Sequence, residues 1–273
     1  MADITLSAAI RSALVSSQRT TALTDVSRER VETGLRVNRP IDDASAFFLA
    51  QNLAGRAGEL LQIKDSIGQA ATAIGGTLAG IDAISGITNQ LKGIATAARG
   101  GSAETRAAAA AQFDRLRGQV DALAADVNFG GVKLLASPAQ SLTIDFNANG
   151  SSGLTIQGQP SDAASLGIGA AVGDFNNFAS DADIDSAIAG LAGATATLRS
   201  SAATLGSNAG LLNTRLDFTE ELSNTLTSGA GKLTLADLNE EAAKLVSLRL
   251  SGALGAIGLN IAAQSQRAVL QLF

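Results

Sequence analysis

The chain has 273 residues and a net charge of −5, with 46% hydrophobic but only 3% aromatic residues, and it contains no His, Cys, Trp or Tyr. That inventory removes the usual ligands of zinc, haem and iron–sulfur sites, the Ser–His and Cys–His nucleophile pairs, and disulfides. A mildly acidic chain with scattered Arg is also a poor match for nucleic acid.

The length allows one or two ordinary domains, but the apolar content is Ala, Leu and Ile in long periodic runs, which points to helices longer than those of a globule. The first residues, Met1-Ala2-Asp3-Ile4, lack the basic and apolar regions of a Sec-type signal peptide, so that route of secretion is not expected.

Residues 1–39 predict a first helix, with Leu6, Ile10, Ala13 and Leu14 as a modest apolar stripe followed by Leu23, Val26, Val31 and Leu35. Between them lie Ser, Thr and Gln, which makes the segment too polar for a membrane span and too weakly apolar to fold alone. Gly34 and the turn-like Asn38-Arg39-Pro40 end it. Asp42-Asp43 then suit the start of a helix running from Ala44 to about Arg99. No base, nucleophile or metal ligand stands near this acidic pair, so capping is expected of it and not acid–base chemistry.

Within that second helix Leu60, Ile63, Ile67, Ala70 and Ile74 follow a 3,4 rhythm. Leu78 and Ile81 continue it after a shift, and Ile84, Ile87, Leu91 and Ile94 resume it, so a heptad-like seam with phase slips is expected. Gly76 and Gly80 form a GxxxG pattern, read here as allowing close approach of another helix. Gly100-Gly101 break the pattern, and a shorter helix follows over Ala103–Asp126 with Phe113, Leu116, Val120 and Leu123 on one face.

The middle differs in character. Leu142, Ile144 and Phe146 alternate with Thr143 and Asp145, a Gly/Asn/Ser set follows at 147–153, and then Leu154-Thr155-Ile156, which predicts a β-hairpin. Asn149-Gly150-Ser151 fits a glycosylation acceptor but reads as the hairpin turn. Gly167-Ile168-Gly169 has no third glycine where a phosphate loop needs it. No Lys or Arg occurs from Leu134 through Leu198, whereas Asp recurs, so the region 137–182 is expected to face solvent.

The helical pattern returns with Ile184, Ile188, Leu191, Thr195, Leu198, Ala202, Leu205, Ala209, Leu212 and Leu216, the sharpest periodicity in the chain. Gly229 and Gly231 are expected to separate it from the last segment. That segment carries no charge between Arg249 and Arg267 and places Leu250, Leu254, Ile257 and Ile261 on one face. A helix this apolar must be buried in something. Its uncharged run is at the short limit of a membrane span and contains Asn260, Gln264 and Gln266, so no span is expected. Gly252, Gly255 and Gly258 permit dense packing but cost ~1 kcal/mol each relative to Ala, which leaves the isolated tail helix marginal.

The resulting fold class is mainly α: long antiparallel helices in a coiled-coil-like rod, one small β-hairpin, and terminal helices paired at one end. Residues 1–39 carry six Arg against four acids, and residues 217–249 six acids against three bases, a balance that favours their pairing weakly.

At GLRVNRPIDDASA, residues 34–46, the chain resembles the characteristic loop of bacterial flagellins, and the preceding SQRTTALTDVSRERVET fits the same N-terminal signature. NFGGVKLL at 128–135 is similar to that family's end-of-helix motif, with Gly130 where Asn is usual. The ending from Ala236 to Phe273 is similar to the family's C-terminus, in the alphaproteobacterial style. The matches cover roughly residues 1–136 and 184–273.

The resemblance implies a filament subunit, extracellular in the flagellum, with no enzymatic role and no cofactor or metal. Its partners would be copies of itself, together with an export chaperone, cap and junction proteins. An inner helical domain would comprise 1–43 and 229–273, and a rod domain 44–136 and 183–228, with 137–182 in place of a larger outer domain. Packing between subunits is expected at Leu6, Ile10, Leu14, Leu238, Leu245, Leu248, Leu250, Leu254, Ile257, Ile261, Leu270 and Phe273. Gly34, Leu35, Arg36, Asn38, Asp42 and Asp43 carry the loop. Where many flagellins present a basic residue, a Leu and a Glu to an innate-immune receptor, this chain has Lys92, Ile94 and Gln112, so weak or absent activation is expected. The alternatives are a hook–filament junction protein and a membrane-anchored coiled-coil scaffold.

Overall fold

The computed structural model describes residues 8–270, and within them five long helices and one hairpin: α1 Ala8–Thr33, α2 Ala44–Ala97, α3 Ala103–Asp126, β1 Leu142–Asp145, β2 Gly153–Ile156, α4 Asp181–Thr234 and α5 Leu238–Leu270. The chain divides into two compact units. One comprises Gly58–Ser223, and the other combines the residues up to Ala57 with those from Asn224 onward.

In the unit formed by Gly58–Ser223, α2 and α4 lie antiparallel in constant register. Lys64 pairs with Glu220 at 2.9 Å, a Cβ on Gly68 would meet Leu216 at 3.7 Å, and Arg99 pairs with Asp185. The advance along α2 equals the retreat along α4 at all three points. On α4 the fully buried residues Ile184, Leu191, Leu198, Leu205 and Leu212 recur every seventh position, with half-buried Ile188, Thr195, Ala202, Ala209 and Leu216 between them. That is the predicted seam, formed as a coiled-coil-like stripe.

The seam of α2 departs from expectation. Its buried line is Ile67, Ala70, Ile74, Thr77, Ile81, Ile84, Thr88, Leu91, Ala95 and Ala98, spaced by three and four without interruption. The expected phase slip is absent because Thr77 and Thr88 take the inner positions, while Leu78 and Ile87 are only half-buried. Each Thr hydroxyl donates to the carbonyl four residues earlier (Thr77 to Ala73 at 2.8 Å, Thr88 to Ile84 at 2.9 Å), which satisfies the hydroxyl and lets its methyl join the core. Gly80 does provide close approach, but to the segment after α3: a Cβ there would stand 2.6 Å from Val127 Cγ2 and 3.1 Å from Leu135 Cδ1.

Helix α3 begins at Ser102, whose hydroxyl accepts from Thr105 N–H, and buries Phe113 and Val120. The expected hairpin forms, antiparallel, with Leu142 opposite Ile156 and Asp145 opposite Gly153. The middle region, however, faces solvent on one side only. Leu134, Leu135, Ile144, Ile156, Ala163, Leu166, Ile168, Ala171 and Phe178 are buried, and all but Leu134 join the core of α2, α3 and α4.

Acids of α3 and one acid of the middle itself tie down its loop backbone. Asp121 of α3 accepts from Ala163 N–H at 2.8 Å, Asp114 accepts from Ala171 and Val172 N–H at 2.6 and 3.0 Å, and Asp174 accepts from Ala170 N–H at 2.7 Å. Asn176, Asn177 and Phe178 form a left-handed turn at φ 42, 55 and 59°, which L residues adopt at a cost. The turn is held by Phe178, which meets Phe113 edge-on at 5.5 Å, and by Arg106, which donates to the Phe178 carbonyl at 3.2 Å.

Helix α4 runs to Thr234, through Gly229 and Gly231, which were expected to end it. Glycine lowers helix stability without breaking the hydrogen-bond ladder. At Gly229 it also leaves room for Leu53, whose Cδ1 lies 3.5 Å from where a Cβ would be.

Candidate functional site

The other unit contains α1, α5 and the loop between α1 and α2. Gly34, at φ +71°, closes α1 through its N–H to the Arg30 carbonyl at 2.9 Å, a conformation that favours glycine. The chain then binds the end of α4: Leu35 bridges Leu235, Arg36 and Val37 donate N–H to Thr234 O, and Ala236 N–H returns to Gly34 O. Asp42 accepts from the N–H groups of Asn38 and Arg39 at 3.0 and 2.8 Å. These bonds, that to Arg39 first, hold its carboxyl below the usual range. Asp43 accepts from Ala46 N–H at 3.0 Å and so caps α2. Of the six loop residues named from the sequence, Gly34 and Leu35 thus act through their backbone, Asp42 and Asp43 through their carboxylates, and Arg36 adds a guanidinium bond to Leu233 O at 2.8 Å.

Helices α1 and α5 pack along each other. Ser27 and Arg30 reach Glu241, and Thr20 stands 3.8 Å from where a Cβ on Gly252 would be, so the two run antiparallel. Asp237 caps α5 by accepting from Asn239 and Glu240 N–H.

The seam between them is unusual in composition. On α1 the sheltered line is Ile10, Ala13, Ser17, Thr20, Thr24, Ser27 and Val31, and on α5 it is Glu241, Leu245, Leu248, Gly252, Leu259 and Ala262. The α1 side is therefore mostly small and polar. Many of the large apolar residues face outward: Leu14, Val15, Leu23 and Val26 on α1, and Val246, Leu250, Leu254, Ile257 and Ile261 on α5, the last five between 56% and 67% exposed. Over Leu238–Ser265 α5 is long and apolar enough to cross a membrane by length and composition only, and its most apolar stretch is not buried against the rest of the chain. Helix α2 passes the same test with much of its stretch in the core.

The residues expected to pack between subunits fall into three groups. Leu14, Leu238, Leu250, Leu254, Ile257 and Ile261 are exposed. Ile10, Leu245 and Leu248 are half-buried on the α1–α5 seam. Leu6, Phe273 and the Leu270 side chain lie outside the described residues.

The receptor-type positions lie in the other unit. Ile94 and Gln112 line one groove between α2 and α3 with Arg115, Leu116 and Gln119, about 650 Å³ in volume, whereas Lys92 is exposed outside its lining.

Sequence reasoning missed the Ser27–Arg30–Glu241 cluster. The spacing Leu238, Glu241, Leu245, Leu248 was the available signal, since it places Glu241 on the inner stripe of α5.

Residues 5–140 match the model of the bacterial flagellin N-terminal helical region. Flagellin FljK of Caulobacter vibrioides is 30% identical over 248 residues, covering 90% of this chain and 89% of the relative.

The chain belongs to the bacterial flagellin family.

Flagellin FljN of the same bacterium is 31% identical over the same extent, and the flagellin of Brucella melitensis biotype 1 is 25% identical over 100% of this chain and 99% of its own. A crystal structure of Bacillus cereus flagellin aligns with a TM-score of 0.48 and 22% identity over 56% of this chain and 88% of that one. In this flagellin α1 and α5 are the pair whose apolar stripes point outward.

Proposed function

We propose that this flagellin is the structural subunit of the bacterial flagellar filament and that it assembles by covering the outward stripes of α1 and α5 with the same helices of neighbouring copies. The observation that carries this is the inverted pair: a mostly small and polar seam inside, and Leu, Ile and Val outside. An exposed apolar stripe of this extent marks a surface to be buried. Burying each such side chain is worth roughly 1.5–3 kcal/mol, part of which is offset by the cost of association. Because the stripes of α1 and α5 are different surfaces, they can meet head to tail, and a head-to-tail contact that does not close extends into a filament.

In this reading residues 1–43 and 229–273 form the inner domain, 44–136 and 183–228 the rod domain, and 137–182 the outward region. The subunit works outside the cell, is exported with a chaperone, and meets cap and junction proteins at the filament ends. It is a structural protein and not an enzyme. Among the described residues no group of His, Cys, Asp and Glu could hold a metal ion.

Seeded growth tests the proposal. Monomer added to filament fragments should lengthen them in electron micrographs. A variant lacking residues 250–273 should stay folded, soluble and unable to add. Growth by that variant would overturn the assignment of α5.

A further inference from the structure

A second apolar feature lies in the unit that contains the loop, away from the α5 stripe. Leu35, Val37, Phe47, Ala50 and Ala230, with Gln51 on the rim, line a groove of about 380 Å³. Val37, Ala50 and Ala230 are its floor, each at most 9% exposed.

On the same stretch of chain Ile41 is 86% exposed and Phe48 62% exposed. At ~100° per residue, Phe47, Ala50 and Gln51 share one face of α2, Phe48 lies on the adjoining face next to Gln51, and Leu49 points away. Hole and knob therefore stand side by side on one short segment, as two different surfaces.

That segment is held in place. Asp42 fixes Asn38 and Arg39, Arg39 pairs with Glu29 at 3.2 Å, and Phe47 and Phe48 meet edge-on at 5.5 Å. The knob is thus presented at little further entropic cost. Charge agrees as well: exposed Asp42 and Asp43 follow Ile41 in sequence, with Arg39 already paired to Glu29, while exposed Arg36 and Lys232 are next in sequence to groove residues Leu35 and Gly231.

We propose that Phe48 of one copy, flanked by Ile41, seats in the Leu35–Val37–Phe47–Ala50 groove of a second copy. This contact rests on the filament reading and adds to it a second site of subunit contact. Because knob and hole are different surfaces, the contact can run head to tail as the filament reading requires, so that each copy that is bound offers the next site.

The chain has no cysteine, which makes the test direct. Two single-cysteine proteins, Ile41→Cys and Gln51→Cys, are mixed, grown on seeds and oxidised. A covalent dimer from the mixture, absent from either protein alone and from unassembled mixtures, is the expected result. Phe48→Ala is expected to raise the critical concentration for seeded growth about tenfold. Filaments with no 41–51 dimer, as when α5 or another flagellar protein fills the groove, would overturn the contact. So would a Phe48→Ala variant that grows like the parent. Should the Cys variants fail to grow, the Phe48→Ala measurement decides alone. Failure of the parent protein to extend seeds would instead sink the filament reading.

Discussion

The Ser27 hydroxyl donates to Oε2 of Glu241 over 2.7 Å, and Arg30 donates to Oε1 of the same carboxylate over 2.8 Å, joining α1 to α5 across more than two hundred residues of chain. Glu241 is 7% exposed. A carboxylate so placed needs both donors, because a buried charge left short of partners costs more than the pair contributes. Ser27→Ala should therefore weaken the α1–α5 pairing by about 1–3 kcal/mol. Hydrogen exchange of α1 amides in the monomer would report the loss as reduced protection, whereas unchanged protection would show that the small-residue seam holds the helices without it.

Acid should act on the same contact. Burial pushes the Glu241 carboxyl up, but the Ser27 and Arg30 hydrogen bonds and the charges of Lys244 and Arg30 together bring it below its ordinary value of 4.5. A group whose folded value is depressed contributes fully well above its unfolded value and loses that contribution as pH falls through the folded one. Helicity of the α1–α5 pair is thus expected to be flat near neutral pH and to fall below about 4.5. Glu241→Gln should flatten that acid limb. An unaltered profile in the variant would assign the limb to other carboxylates.

Much of this arrangement was legible in the sequence. The heptads of α4, the limits of α3, the hairpin and the Asp43 cap follow from local spacing and propensity, which do not depend on distant residues. What escaped depended on exchanges between size and polarity. In α2 the sequence favours Leu78 and Ile87 for the core, yet Thr77 and Thr88 occupy it because their hydroxyls are satisfied along their own helix. The Asp-rich middle reads as solvated, yet Asp114 and Asp121 of α3 and Asp174 within the middle accept from its backbone and hold its apolar face inward. The outward stripe of α5 was visible as Leu250, Leu254, Ile257 and Ile261. The seam behind it was not, because residues such as Ser17, Thr20 and Gly252 carry little apolar signal.

Gly80 offers a test of packing in the unit of Gly58–Ser223. An alanine there would place its Cβ 2.6 Å from Val127 Cγ2, closer than side chains tolerate. Gly80→Ala should destabilise that unit by about 1–3 kcal/mol in urea unfolding, despite the gain in helix propensity. Adding Val127→Ala should recover a substantial part of the loss. A stabilising Gly80→Ala would mean the segment after α3 moves aside freely.

Receptor recognition should be weak. The resemblance places Gln112 where many flagellins present a carboxylate, and Lys92 stands outside the groove that Ile94 and Gln112 share. A cell reporter for the innate-immune receptor should respond much less to this protein than to a typical enterobacterial flagellin. Gln112→Glu should raise the response if the carboxylate is the missing element.

The outward α5 stripe carries the central claim, and replacing its polarity alone tests it most directly. In Leu250→Gln, Leu254→Gln, Ile257→Gln and Ile261→Gln combined, the seam residues Glu241, Leu245, Leu248 and Gly252 remain, so the monomer should keep its helicity. Electron microscopy of seeded growth should then show filament fragments that never lengthen. Filaments of ordinary length from this variant would contradict the account.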